Sequence, residues 1–356
     1  MKKFRELVVL LCLTGLLFVL GFYVQSLSPQ AIKKDNLYKV FFLDWYTNEG
    51  SANLLSMDSD GQNMQFLISA SGTTAWSKDG RFLATGCSDM AKVCVFEDEN
   101  FIDWTVYPPK QIINPDYIEI PLPEECLSVQ GATGVSSISW SADGKKMIIV
   151  CQNKEVSNAC VVGIDGNYHC WGEKKGDDIY SRADWSPNDN LIVIDTGKGS
   201  YLMAGEGNGV KVVRTGRVMQ IVDLDGKVIT SLTDGWSPAW SPDGEQLAFF
   251  HWDDERGYPG IASIRKDGSD FRWIYRPPLR GSGGDIEYFK PFFQDVYYCS
   301  GSSKISWSPD KDFIIVEAML ISECSYSLFK IDIDTGTLVN LTTNLSRQYQ
   351  EPSIQP

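Results

Sequence analysis

The residue types able to do chemistry are few in this chain, and their spacing closes several routes. There are two histidines, His169 and His251, so a three-imidazole metal site cannot be built from them. No Gly-x-Ser-x-Gly stretch offers a nucleophile elbow. The glycine-rich run Gly205-Glu206-Gly207-Asn208-Gly209 fails dinucleotide spacing and precedes no helix signal, so it reads as a loop. Asp58-Ser59-Asp60-Gly61 opens like a calcium loop but lacks the distant Glu, and reads as a hairpin turn. No catalytic residue, cofactor or metal is expected. Nine cysteines include Cys12 inside an apolar run and eight more: Cys87, Cys94, Cys126, Cys151, Cys160, Cys170, Cys299 and Cys324. None shows Cys-x-x-Cys metal spacing, and an even number in an exported chain points to disulfides. The net charge of −14 repels phosphate backbones and argues against nucleic acid.

What remains is contact chemistry. His251-Trp252-Asp253-Asp254-Glu255-Arg256-Gly257-Tyr258 interleaves rings with charge, a composition suited to a binding surface. Trp236 reads as a loop residue exposed for the same use. The segment 285–298, with Asp285, Glu287, Tyr288, Phe289 and Phe292, is richer in rings than a loop requires. It is either a contact surface or a plug packed over the fold.

Those loops need a scaffold, and internal repetition supplies it. Trp76-Ser77-Lys78-Asp79-Gly80, Trp140-Ser141-Ala142-Asp143-Gly144, Trp185-Ser186-Pro187-Asn188-Asp189, Trp240-Ser241-Pro242-Asp243-Gly244 and Trp307-Ser308-Pro309-Asp310-Lys311 each precede a β-rich apolar run. Pro sets φ at the start of a turn, while Asp and Gly close it, so each copy is strand, turn, strand. A second hairpin follows, as at Asp223-Leu224-Asp225-Gly226, making units of four strands. Glu351-Pro352-Ser353-Ile354-Gln355-Pro356 aligns with the start of a unit and Tyr38 to Trp45 with its continuation. The C-terminus therefore supplies the first strand of the N-terminal blade and removes an exposed sheet edge.

Together these motifs resemble the Trp-Ser-Pro-Asp-Gly repeats of TolB-like and WD40-like β-propellers over residues 37–356. The resemblance implies an all-β, six-bladed propeller of four-stranded blades, with the motif Trp on the innermost strand and packed between sheets. It also implies partner binding as the usual role. Naming the strands of a blade a to d, the long insertions 108–135 and 278–303 read as d-to-a connections and 198–217 as a b-to-c loop. That face is elaborated, the a–b and c–d face plain, and a protein partner is expected on the former. On strand pairing across b–c hairpins Cys87 is expected to join Cys94 and Cys151 to join Cys160; of the rest, Cys126 would pair with Cys170 and Cys299 with Cys324.

The N-terminus is basic, and residues 7–24 carry no charge. A helix there would span about 27 Å, which predicts residues 1–26 as a signal-anchor and 27–36 as a linker, with the propeller outside the membrane. Cleavage after Ser26 is the alternative. The functional expectation is a membrane-tethered, extracytoplasmic, non-catalytic binding or scaffold module. A hydrolase or lyase acting on a glycan or peptide in the propeller channel is the competing one, and it requires carboxylates to converge there.

Overall fold

The computed structural model describes residues 37–45, 52–87, 91–97, 102–103, 110–111, 116–129, 135–153, 155–197, 202–205, 210–213, 217–256, 258–276, 304–320, 325–342 and 348–356. The expected N-terminal helix lies outside them. Among the described residues no helix is long and apolar enough to cross a membrane.

Six antiparallel four-stranded sheets form the blades. The first contains β1 (Lys39–Trp45), β2 (Ala52–Asp58) and the start of β3 (Gln65–Trp76). The end of β3 opens the second, with β4 (Phe82–Gly86), β5 (Lys92–Glu97) and, after a small hairpin of β6 (Ile102–Asp103) and β7 (Lys110–Gln111), β8 (Tyr117–Pro121). A short helix α1 (Glu124–Leu127) leads to the third: β9 (Val135–Trp140), β10 (Lys146–Gln152), β11 (Val156–Gly163) and β12 (Tyr168–Cys170), with β13 (Lys174–Lys175) also pairing β11. The fourth is β14 (Tyr180–Trp185), β15 (Ile192–Thr196), β18 (Val218–Val222) and β19 (Val228–Asp234), the hairpin of β16 (Leu202–Gly205) and β17 (Val210–Val213) lying between its second and third strands. The fifth is β20 (Trp236–Trp240), β21 (Gln246–Asp253), β22 (Tyr258–Arg265) and β23 (Arg272–Tyr275). The sixth is β24 (Ile305–Trp307), β25 (Phe313–Leu320), β26 (Ser325–Asp332) and β27 (Leu338–Asn340). The last strand, β28 (Gln348–Ile354), pairs antiparallel with β1 and completes the first blade, as the repeat alignment predicts.

The motif turn is built as its residue types require. The Ser77 hydroxyl donates to Asp79 at 2.6 Å and accepts the Phe82 N–H at 2.9 Å, while Gly80 takes φ +71°. The same set recurs at Ser141 with Asp143 and at Ser241 with Asp243. Both faces of the second strands are buried, which is why they read as continuous apolar runs. In β21, Leu247 and Phe249 pack towards the fourth blade, and Ala248 and Phe250 towards the sixth. Six apolar clusters result, one between each pair of neighbouring blades. The motif tryptophans sit in these layers: Trp140, Trp240 and Trp307 donate their indole N–H to carbonyls of Ala75, Asp184 and Ala239 in the preceding blade.

Two expectations are corrected. The second blade takes Tyr117–Pro121 as its outer strand, so the chain between β5 and β8, including the small hairpin, is a c–d insertion on the side read as plain. Of the disulfides, Cys87–Cys94 forms as expected, but the others are Cys126–Cys151 and Cys160–Cys170. Register decides this: Cys160 lies opposite Ile149 on β10 and opposite Cys170 on β12, whereas Cys151 faces Asn158. Helix α1 brings Cys126 to Cys151 with Cα atoms 5.3 Å apart, within bridging reach. Cys299 and Cys324 lie outside the described residues.

Candidate functional site

The inner strands converge on a central channel, and the residue three positions before each motif Trp, or before Ile354, is polar: Thr73, Ser137, Arg182, Ser237, Lys304 and Glu351. Three of the six are charged. Bulges place them: the register of the inner strand slips beside Thr73, Arg182, Ser237 and Glu351, and Ser237 and Glu351 adopt left-handed φ of +52° and +59°. Each of these two turned-in N–H groups is met by a carboxylate of the previous blade's second strand. Asp195 accepts the Ser237 N–H at 2.9 Å, and Glu317 accepts the Glu351 N–H at 2.9 Å. Buried backbone donors must be paired, and here acidic side chains do the pairing.

Glu351 is the hub. Its carboxylate takes both Nη atoms of Arg182 and the Thr73 hydroxyl at 2.5 Å, and its carbonyl accepts the Thr74 hydroxyl at 2.7 Å. The Arg182 and Glu351 side chains are 5% and 4% exposed, a fully desolvated pair. Burial opposes ionisation of Glu351, but Arg182 outweighs it and holds the carboxyl below its usual range. Glu317 is moved the other way: burial first, and the charge of Glu351 next, push its carboxyl well above the usual range. Its Oε1 has no hydrogen-bond partner among the described residues. Burial also pulls the Lys304 ammonium down to about 8.

A second belt lies one position before the motif Trp. Ser353, Ser139, Asp184 and Ser306 accept the N–H of Trp76, Trp185, Trp240 and Ile354 in the following blade. Beyond this belt a cavity of about 440 Å³ opens towards the a–b turns, with Lys304, Arg182 and Asp184 among its polar lining and Pro187, Pro242 and Pro309 in its wall. The face that reads as plain in the sequence thus carries a cavity.

The residues singled out as a binding face fare unevenly. Trp236 is not a loop residue: it begins β20, is buried and stacks on Phe250 with ring centroids 5.7 Å apart. Trp252 is buried too, and Asp253 is 2% exposed, organising its hairpin by accepting the Glu255 and Arg256 N–H groups and the Arg276 guanidinium at 2.7 Å. These three are core. His251 is half-buried against Phe271 and Trp273, its Nδ1 donating to the Asp234 carbonyl at 2.8 Å. Asp254 is exposed and Arg256 partly so. The side chain of Tyr258 and all of Asp285, Glu287, Tyr288, Phe289 and Phe292 lie outside the described residues. His169 stands in the third blade and His251 in the fifth. Among the described residues no group of three or more His, Cys, Asp or Glu is placed to hold a metal.

Sequence reasoning missed Arg182, Lys304, Glu351, Glu317 and Asp195. For Arg182, Lys304 and Glu351 the signal is the polar residue recurring three places before each motif, legible once the repeats are stacked; Asp195 and Glu317 stand instead as single acids at the end of the apolar runs of β15 and β25.

No protein-family model matches the chain. Over 182 residues, 49% of its length, it is 26% identical to human WD repeat-containing protein 35, of which it spans 13%. Among solved structures, TolB from Acinetobacter baumannii superposes with a TM-score of 0.59 at 13% identity, covering 90% of this chain and 67% of that one. A chain of a nidogen/laminin complex superposes at 0.55 with 6% identity, covering 89% and 98%. The shared feature is the fold, and this chain has the TolB-like propeller fold.

Proposed function

We propose that this TolB-like propeller is an extracytoplasmic, membrane-tethered module that binds or scaffolds proteins without catalysing a reaction. The observation that carries the reading is the state of the channel carboxylates. Asp184, Asp195 and Glu351 each accept backbone N–H groups or a paired guanidinium, which is the work of holding blades together. Three disulfides among the described residues suit an oxidising compartment. The nidogen/laminin neighbour comes from an assembly between proteins. The contact face of this reading is the b–c and d-to-a side, with Asp254, Arg256 and the ring-rich segment around Tyr288, Phe289 and Phe292.

A photo-crosslinking residue at Asp254 or Tyr288, in protein exported with its own N-terminus, tests this. A defined protein adduct from both positions, and none from Lys227 on the opposite face, is the expected result. Adducts from Lys227 alone would move the surface, and their absence everywhere would defeat the reading. Glu317 favours a second reading, a hydrolase or lyase in the channel, because a carboxyl whose proton is held more tightly through burial is suited to acid catalysis. Turnover of a glycan or peptide that is lost in Glu317→Gln would establish it.

A further inference from the structure

The cavity beneath the a–b turns is on the side away from the proposed protein-binding face and is not used by that reading. Its floor and its wall differ in chemistry. At the floor, Lys304 donates to the Thr74 carbonyl and lies 4.0 Å from Oε2 of Glu351, so one of its three N–H donors is satisfied among the described residues. Its side chain is 17% exposed. Beside it, Nε of Arg182 is buried without a hydrogen-bond partner among the described residues. Both residues line the cavity. The remaining N–H donors of Lys304 are available to an oxygen acceptor placed in the cavity. The wall above has an apolar part, formed by the motif prolines Pro187, Pro242 and Pro309 with Trp240 and Trp307, beside the polar Lys78, Asp79 and Asn188. A volume of about 440 Å³ is in the range of small-molecule sites.

We propose that this cavity is a binding site for a carboxylate carried on an apolar stem, the carboxylate oxygens taken by the Lys304 ammonium at the floor and the stem held by the proline and tryptophan wall. At the mouth Lys78, 3.5 Å from Asp184, offsets the charge of that carboxylate on the entry path. Oxygen ligands for Lys304 can come from a free organic acid or from the C-terminus of a peptide, and the chemistry recognised is the same.

Binding is coupled to a proton. The groups facing Lys304 are Glu351 on β28, Arg182 and Asp184 on β14 and Glu317 on β25, and burial outweighs their sum to lower the ammonium to about 8. An added carboxylate favours the charged amine. Affinity is therefore full below about 8 and falls as pH rises above it, with proton uptake on binding near pH 8.

The probes are N-acetyl-phenylalanine, its amide and 4-phenylbutyrate, titrated into the full chain by calorimetry in buffers of differing ionisation enthalpy. At least one acid should bind, the amide of N-acetyl-phenylalanine should be about tenfold to a hundredfold weaker than its acid, and Lys304→Gln should lose binding of the acid by a similar factor. Preference for N-acetyl-phenylalanine over 4-phenylbutyrate assigns a peptide terminus, and the reverse a free acid. Ala142→Trp, an exposed cavity-lining position, should block entry without touching Lys304 and guards against a variant that fails to fold. Equal binding of acid and amide, no binding of either acid at millimolar concentration, or unchanged binding in a folded Lys304→Gln protein would overturn the proposal.

Discussion

Replacing Glu351 with Gln probes how the ring is locked. The change keeps side-chain volume and removes the charge facing Arg182, whose guanidinium is 5% exposed and bonds to Glu351 through both Nη atoms. Stranding a buried charge costs about 3–5 kcal/mol. One group can soften the loss. Burial, and then the charge of Glu351, opposes ionisation of Glu317, so removing that charge eases ionisation of Glu317 towards Arg182 while burial, the larger cause, still opposes it. At pH 7 the expected destabilisation is therefore about 3–5 kcal/mol. Replacing both partners with Met leaves no stranded charge and should return stability to within about 1–2 kcal/mol of the parent. Urea unfolding followed by tryptophan fluorescence at pH 7 measures all three proteins. A Glu351→Gln protein within about 1 kcal/mol of the parent, or a Met/Met protein as unstable as the single variant, would refute the network as described.

Removing residues 350–356 takes away most of β28, leaves the inner edge of β1 unpaired and strands Arg182; size-exclusion chromatography and limited proteolysis should show an aggregating or labile product. Cys126→Ser with Cys151→Ser should cost about 3 kcal/mol of unfolding free energy, and peptide mapping of the parent should recover Cys126 with Cys151 and Cys160 with Cys170. Asp243 is ionised against burial because Lys311, Ser241 and the Glu245 N–H hold its carboxyl down to about 2. A depressed folded value means that its contribution is present above the ordinary 3.8 and lost as pH falls towards 2. The stability gap between parent and Asp243→Asn should accordingly close between about pH 4 and pH 2 in thermal melts.

The local chemistry of turns made the architecture legible in the sequence. Ser77, Asp79 and Gly80 close their hairpin with contacts no more than five residues apart, so five copies of the pattern announce five hairpins before any packing is known. The Cys87–Cys94 bridge was legible for the same reason, since it closes one short hairpin. The C-terminal strand could be matched to the N-terminal blade because both ends still carry the repeat's alternation of types. Pairing by register is different. Cys160 has partners on both sides, and only the alignment of β11 with β12 selects Cys170 over Cys151. Trp236 reads in the sequence as an exposed loop residue, but the left-handed Ser237 next to it bulges the inner strand, and the ring is buried on Phe250. The channel was the least legible part. Arg182 and Glu351 stand 169 residues apart, each a lone polar residue in its own segment, and closing six blades into a ring is what sets them against each other in the absence of water.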